Sequence, residues 1–236
     1  MSRRPPLIRD PQAVPVIGHD DHLPAVPAER LAAEAIRSRF QQVPEWQPEF
    51  LGDGRALLDG VTRHRTPASV LVPLVEREGR LHVLLTRRTD HLHDHAGQVS
   101  FPGGRADPED VDVTATALRE AHEEVGLPAS AVQVLGTLPV YTTVTSYVVT
   151  PVVGLVDPAA PLKVEPFEVD EAFEVPLAFL MDPAHHRRHR FVLGEQAREF
   201  LSMPWIGTGH RGLEREYFIW GATAAMLRNF YRFLSA

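Results

Sequence analysis

The stretch Val113 to Val125 constrains the fold more than any other. Placed on a wheel at about 100° per residue, Val113, Ala117, Leu118, Ala121 and Val125 form one apolar face. That spacing predicts an amphipathic helix, closed by Gly126 in the C′ position. Glu120, Glu123 and Glu124 fall together beside the apolar face. Glu120 and Glu124 are i,i+4 neighbours, with Cβ atoms ~5–6 Å apart. Such carboxylates repel one another. Two of them also lie near the helix C-terminus, where the macrodipole disfavours negative charge by roughly 0.3–1 kcal/mol each. Local stability does not account for the arrangement. A hard divalent cation does, because oxygen ligands and dense negative charge suit Mg²⁺ or Mn²⁺. A solvated acidic face is the plain alternative. The segment ahead of the helix favours the cation. Gly103-Gly104 is followed by Asp107, Glu109, Asp110 and Asp112, and a glycine turn brings backbone close to a bound ion or phosphate. Arg119 can orient one of the glutamates through a bidentate contact.

Strand patterns surround this helix. Ser69–Val75 and Leu81–Thr86 are apolar and β-branched, joined by a turn at Gly79. Gln98–Phe101, Val132–Pro139 and Tyr147–Val156 read as further strands. Ala172–Leu180 reads as a short helix broken by Pro176, and His185–Arg190 as a basic loop. Phe191–Leu201 reads as a hairpin. Trp220–Leu234 carries Ala224, Leu227, Phe230, Tyr231 and Leu234 in an amphipathic helical stripe. Mixed strands with two well-separated helices predict an α/β fold, an α+β mixed sheet in a sandwich.

The N-terminal part differs. Eight of the 21 prolines lie before residue 49. Residues 1–27 show no period and read as an extended, partly mobile arm. Leu31, Ala32, Ile36 and Phe40 give a short helix over 28–40, ended by Pro44 and Pro48. Residues 1–65 therefore read as arm, helix and connector, and residues 66–236 as the compact domain.

Charge and cysteine content narrow the function. The 24 basic and 31 acidic residues leave −7, which argues against bulk binding to nucleic acid or an anionic membrane. The absence of cysteine excludes disulfide scaffolds and thiol nucleophiles. No apolar run reaches the ~18 residues of a membrane span. The start Met1-Ser-Arg-Arg is interrupted by prolines and charges and does not read as a leader. A cytoplasmic enzyme is expected.

The segment Gly104 to Leu127 resembles the Nudix box, G-x5-E-x7-R-E-U-x-E-E-x-G-U. Its second half matches as Arg119-Glu120-Ala121-His122-Glu123-Glu124-Val125-Gly126-Leu127. The spacing from Gly104 to Arg119 is one residue longer, the loop glutamate would fall on Val111, and Ala121 is smaller than usual. Asp107, Glu109 or Asp110 is then the stand-in. Upstream, Leu84-Leu-Thr-Arg-Arg88 and Gly97-Gln-Val-Ser-Phe-Pro-Gly-Gly104 are similar to the signature of coenzyme A pyrophosphatases of this superfamily. Thr89 and His93 depart from it. Tyr217–Ala224 also looks like that branch. The resemblance covers residues 67–234.

The resemblance implies an α/β/α Nudix sandwich and Mg²⁺- or Mn²⁺-dependent cleavage of the pyrophosphate in CoA or acyl-CoA. The products would be 3′,5′-ADP and 4′-phosphopantetheine or its acyl form. Glu120, Glu123 and Glu124, with the Gly104 carbonyl, are the expected metal ligands. Glu120 or Glu168 is the expected general base, with Glu123 also near the chemistry. Glu168 is preferred over Glu171 and Glu174. Arg87, Arg88, Arg105 and His93 are the expected phosphate contacts, because guanidinium binds phosphate bidentately. His185–Arg190 is a further cationic stretch. His91, His93 and His95 at i, i+2, i+4 admit a zinc reading, which the signature loop disfavours. Phe218, Trp220, Phe230 and Tyr231 read as core. Two other functions stay open: a Nudix pyrophosphatase for another nucleoside diphosphate derivative such as ADP-ribose, and a binding module without turnover. The partner is a small molecule, and a homodimer is compatible with the sequence.

Overall fold

In the computed structural model the described residues are 8, 10–53, 65–89, 97–193 and 196–236. In chain order the strands are β1 (Val16–His19), β2 (Thr66–Arg77), β3 (Arg80–Arg88), β4 (Val99–Ser100), β5 (Gly103–Arg105), β6 (Val132–Thr137), β7 (Tyr141–Thr142), β8 (Tyr147–Val156), β9 (Val169–Pro176), β10 (Arg187–Leu193), β11 (Gln196–Thr208) and β12 (Glu214–Trp220). The helices are α1 (Ala33–Gln41), α2 (Val113–Val125), α3 (Leu177–Leu180) and α4 (Gly221–Ser235).

Strand β2 organises the larger sheet. It runs antiparallel to β5 over residues 68–70 and to β3 over residues 74–77, and parallel to β8 along residues 66–75. Pro73 has no N–H to give, and it falls between the β5-paired and β3-paired segments. With β4 and β9 on β3, and β6 and β7 on β8, the result is a mixed eight-stranded sheet. Its two faces differ because side chains alternate along a strand. Leu71, Val75, Leu84, Val152 and Val156 face α2 and meet Ala117, Ala121 and Val125. Val72, Leu74, Val83, Leu85, Phe173 and Val175 belong to the other core, with Leu227, Phe230, Tyr231 and Phe233 of α4. Each large apolar side chain buried this way contributes about 1.5–3 kcal/mol. The expected sandwich is present, and Phe230 and Tyr231 are core as read.

A second, four-stranded antiparallel sheet, in the order β1-β10-β11-β12, packs on α4 through Leu201, Met203, Tyr217 and Ile219. It corrects two sequence readings. The arm read as partly mobile supplies β1, which pairs with β10 through Val16↔His189 and His19↔Arg187. The basic loop read at His185–Arg190 is the start of β10: His186 and His189 are buried, and Arg188 is bound to Asp20 and Glu49. The hairpin read at Phe191–Leu201 is present, as the tip of the longer β10–β11 pairing. The helix read over Ala172–Leu180 is also corrected. Val169–Pro176 is a strand because its backbone pairs with β3, and only the single turn Leu177–Leu180 is helical. Tertiary pairing overrode the local pattern.

The short helix expected over 28–40 is a 3-10 turn followed by α1. Arg30 and Arg39 from this region donate to the carbonyls of Phe233, Leu234 and Ser235 at the end of α4. Cations there satisfy orphan carbonyls and complement the helix dipole. Among the described residues no helix is long and apolar enough to cross a membrane.

Candidate active site

The site is built where α2 crosses β5, whose Gly103 and Gly104, read as a turn, instead pair with Val70 and Ser69 of β2. Asp112 caps α2 by accepting from the Ala115 N–H at 2.8 Å, and Gly126 ends the helix at φ 68°. The cap fixes the phase of the helix, and so the direction of its glutamates. Glu120 lies against Gly104 so closely that a Cβ there would sit 2.5 Å from its Cδ. Glu124 is only 5% exposed, and its Oε2 has no hydrogen-bond partner.

Arg119 ties the helix to the acidic loop. Its bidentate partner is Asp110, not a glutamate as expected: Nε donates to Oδ1 at 3.0 Å and Nη2 to Oδ2 at 2.9 Å. Nη1 then makes single contacts to Glu120 Oε1 at 3.0 Å and Glu123 Oε2 at 3.1 Å. Hydrogen bonds from Arg119 hold the Asp110 carboxyl well below the usual carboxylate range. Among the loop acids offered as stand-ins, Asp110 is therefore the one locked to the motif arginine. Val111, where the loop glutamate would fall, is 89% exposed.

The facing wall comes from the segment before β9. The N–H groups of Lys163 and Glu165 donate to the carbonyls of Val125 and Glu124 at 2.8 and 2.9 Å. They use the unpaired carbonyls at the end of α2. This anchoring turns Glu165 and Glu168 toward a cleft of about 530 Å³, lined also by Arg105, Asp107, Arg119, Glu120 and Glu123. Of the three glutamates weighed near β9, Glu168 lines the cleft, Glu171 is buried against Arg215, and Glu174 is paired with Arg77. Glu165 was not legible beforehand, because its position depends on backbone bonds to a helix end far away in sequence.

Burial pushes the Glu124 carboxyl up to about 8; Glu120 and Glu168 add to this, while Arg88 and a Gly103 backbone bond oppose it. Burial also raises Glu120, against the pull of Arg119. Among the described residues, no group of three or more His, Asp or Glu is already arranged to hold a metal ion. Glu120 and Glu123 are instead held by Arg119. The donor set still fits a hard cation. A buried carboxylate oxygen without a partner, a second carboxylate pressed on a strand glycine, and only oxygen donors are what Mg²⁺ or Mn²⁺ takes.

The expected arginines divide. Arg88 follows Leu84 and Thr86 onto the α2 side of β3, where its charge acts on Glu124. Arg87 faces the other way, in register with Glu171 and paired with Asp170. Alternation along the strand separates two neighbours that had been read together. Arg105 lines the cleft. His93, and with it the zinc reading of His91 and His95, lies outside the described residues.

The NUDIX domain family profile matches residues 65–193. The uncharacterized Nudix hydrolase NudL of Escherichia coli O1:K1 / APEC is 42% identical over 175 residues, covering 74% of this chain and 85% of the relative. NudL of Shigella boydii serotype 18 gives the same figures: 42% identity over 175 residues, 74% and 85% coverage. Among solved structures, a C. elegans Ap4A hydrolase binary complex is 19% identical with a TM-score of 0.42, covering 50% of this chain and 85% of that one. Nudix enzymes generally use divalent metals such as Mg²⁺ or Mn²⁺. With more than half its length matched by the family and relatives at 42% identity, this chain belongs to the Nudix hydrolase family.

Proposed function

We propose that this Nudix hydrolase cleaves the pyrophosphate bond of coenzyme A or an acyl-CoA, giving 3′,5′-ADP and (acyl-)4′-phosphopantetheine. One observation carries the reading. The two halves of the coenzyme A pyrophosphatase-like signature form one structural unit beside the acidic helix. Thr86 and Arg87 of β3 pair with Ser100 and Val99 of β4, and Gly104 of β5, which follows, lies against Glu120.

In this reading Glu120, Glu123 and Glu124, with the Gly104 carbonyl, hold Mg²⁺ or Mn²⁺. A bound divalent ion polarises phosphoryl oxygens and lowers the pKa of water. The chain supplies the rest. Arg119 positions Glu120 and Glu123. Glu168, on the opposite wall, takes the proton from the attacking water as its oxygen bonds to phosphorus and the bridging P–O bond breaks. Arg88 and Arg105 offset phosphate charge at the rim. His93 remains a proposed phosphate contact. The site needs no thiol, so attack falls on phosphorus and leaves a thioester intact.

The test is a panel of CoA, acetyl-CoA, ADP-ribose and diadenosine polyphosphates, with Mg²⁺ or Mn²⁺ and product identification. Release of 3′,5′-ADP, with CoA compounds highest in kcat/KM, supports the reading. Absence of CoA cleavage with either metal overturns it, and a higher kcat/KM for ADP-ribose moves the substrate to that class.

A further inference from the structure

We propose that Arg211 and Arg215 form a second anion site, which takes a phosphomonoester on the nucleoside half of the substrate. It rests on the pyrophosphatase reading above. Both residues come from the β11–β12 connection and the start of β12, beyond residues 65–193 matched by the family. This connection is clasped onto β9. The His210 N–H donates to the Ala172 carbonyl at 3.0 Å, and the Ala172 N–H donates to His210 Nδ1 at 3.1 Å. Arg211 Nη1 then lies 2.8 Å from Asp170 Oδ1. Arg215 Nη1 lies 3.5 Å from Asp170 Oδ2 and 3.3 Å from Glu171 Oε2. Arg87 pairs with the same Asp170 carboxylate. Three guanidiniums therefore share two carboxylates.

The floor of this cluster is Glu171, a carboxylate only 1% exposed. Gly209 covers it so closely that a Cβ there would come 2.2 Å from Glu171 Oε1 and 2.4 Å from the Tyr217 hydroxyl. The Tyr217 ring is stacked on Phe173 at 3.6 Å. Burying a carboxylate costs free energy that an apolar residue would not. Its presence is explained if it holds Arg215 in place. Arg211 and Arg215 are themselves 49% and 40% exposed. A guanidinium has five N–H donors. Their contacts to Asp170 and Glu171 are made through Nη1, and the exposed part of each guanidinium faces solvent, where an anion can reach it.

The cluster adjoins the cleft. Glu168 lines it, and Asp170 is two residues further along, at most about 7 Å between Cα atoms. Arg88 and Arg87 make the same division, one toward Glu124 and one toward Asp170. A substrate with its pyrophosphate in the cleft would thus carry a group one ribose away across the ends of β3 and β9, toward Arg211 and Arg215. A phosphate monoester matches paired guanidinium donors in charge and geometry.

The test compares kcat/KM for CoA and for dephospho-CoA, which lacks the 3′-phosphate, in the wild type, Arg211→Gln, Arg215→Gln and Arg211→Lys. The wild type should prefer CoA. The CoA/dephospho-CoA ratio should fall about tenfold in each Gln variant, as loss of one charge-assisted contact would give, and recover in part in Arg211→Lys. A wild-type ratio near one, or a ratio that neither Gln variant moves, overturns the proposal. Titration calorimetry with 3′,5′-ADP and AMP reads the same site without turnover. Tighter wild-type binding of 3′,5′-ADP that both Gln variants abolish supports it; equal binding of the two nucleotides overturns it. A wild type that cleaves neither CoA nor dephospho-CoA overturns the pyrophosphatase reading instead, and the calorimetry still decides the anion site.

Discussion

Arg228 Nη1 donates to His186 Nδ1 at 2.9 Å, and that bond fixes the histidine as neutral. A guanidinium can only donate, so Nδ1 must be unprotonated. The ring proton is then on Nε2, which donates to the Leu180 carbonyl at 2.8 Å. The same guanidinium donates from Nε to Glu49 Oε2 at 2.7 Å and lies 3.1 Å from Asp20. Asp20, Glu49, the residue preceding β10 and α4 therefore meet at one buried point.

Stability should consequently fall as pH is lowered, in two successive windows. Burial, with the charge of Arg228, pushes His186 down from 6.5 to about 4, against opposing contributions from Leu180, Asp20 and Asp182. Between those values the unfolded chain binds a proton that the folded protein refuses, so stability drops as pH falls through this range. The loss is of order 3 kcal/mol. Glu49 resists burial through its hydrogen bonds to Arg228, Arg188 and Arg232 and is held at about 2 instead of 4.5. Its contribution is complete above pH 4.5 and is lost from there toward pH 2. Urea midpoints from pH 2 to 8 check this. The upper step should vanish in His186→Gln, and its persistence there would assign the titration to another group.

Glu49→Ala should be among the more damaging substitutions distant from the cleft. Its carboxylate accepts from Arg188 Nη2 at 2.8 Å, Arg228 Nε at 2.7 Å and Arg232 Nε at 2.8 Å. Arg228 is 0% exposed, so the variant strands a buried cation. Removing one partner of a buried pair costs about 3–5 kcal/mol, or roughly 10 °C in Tm for a chain of this size. Replacing both residues, as in Glu49→Ala with Arg228→Met, should recover much of the loss. A fall in Tm no greater than that of an ordinary surface substitution would show that Asp20 alone suffices for Arg228.

How much of this was legible beforehand differs between elements. Helix α2, its end at Gly126 and its glutamates were readable because one helix carries the pattern and the spacing; its cap at Asp112 was not. The β2–β3 hairpin was readable for the same reason. Strands β1 and β10 were not, because Val16–His19 and Arg187–Leu193 gain their structure from each other and from Asp20, Glu49 and Arg188. No local period records such a partnership. Arg87 and Arg88 were read as one pair, although alternation along β3 divides them. Spacing alone does not choose among the loop acids, because the grip of Arg119 on Asp110 is a contact across nine residues of loop and helix.

Glu124→Gln should exchange function for stability. The carboxylate is buried, with one oxygen lacking a partner, which burdens the metal-free fold. Gln has the same shape without the charge. Without metal near pH 8, the variant's Tm should rise by about 2–4 °C, equivalent to ~1 kcal/mol. The further rise on adding Mg²⁺ or Mn²⁺ should shrink. Metal affinity should fall by more than the ~10–100-fold of an outer-shell change. Thermal shifts with and without metal measure both effects. An undiminished metal-induced rise would remove Glu124 from the ligand set.

The two glycines of β5 should fail differently when each is changed to alanine. At Gly103, φ is +158° and a Cβ would meet Ser69 O at 2.5 Å and Val70 Cα at 2.6 Å. Those are backbone atoms of β2, so Gly103→Ala strains the sheet and should lower Tm and expression. At Gly104 the backbone is not in the left-handed region, and the nearest atoms to a new Cβ are the Glu120 carboxylate, 2.5–2.6 Å away. The flexible end of Glu120 can move aside, so Gly104→Ala should fold with little change in Tm. Its carboxylate would then be misplaced by about 1 Å, a displacement that can cost ~100-fold in rate. Parallel measurement of Tm and kcat/KM separates the two variants. A folded Gly104→Ala enzyme with wild-type kcat/KM would mean that catalysis does not need Glu120 where it lies against β5.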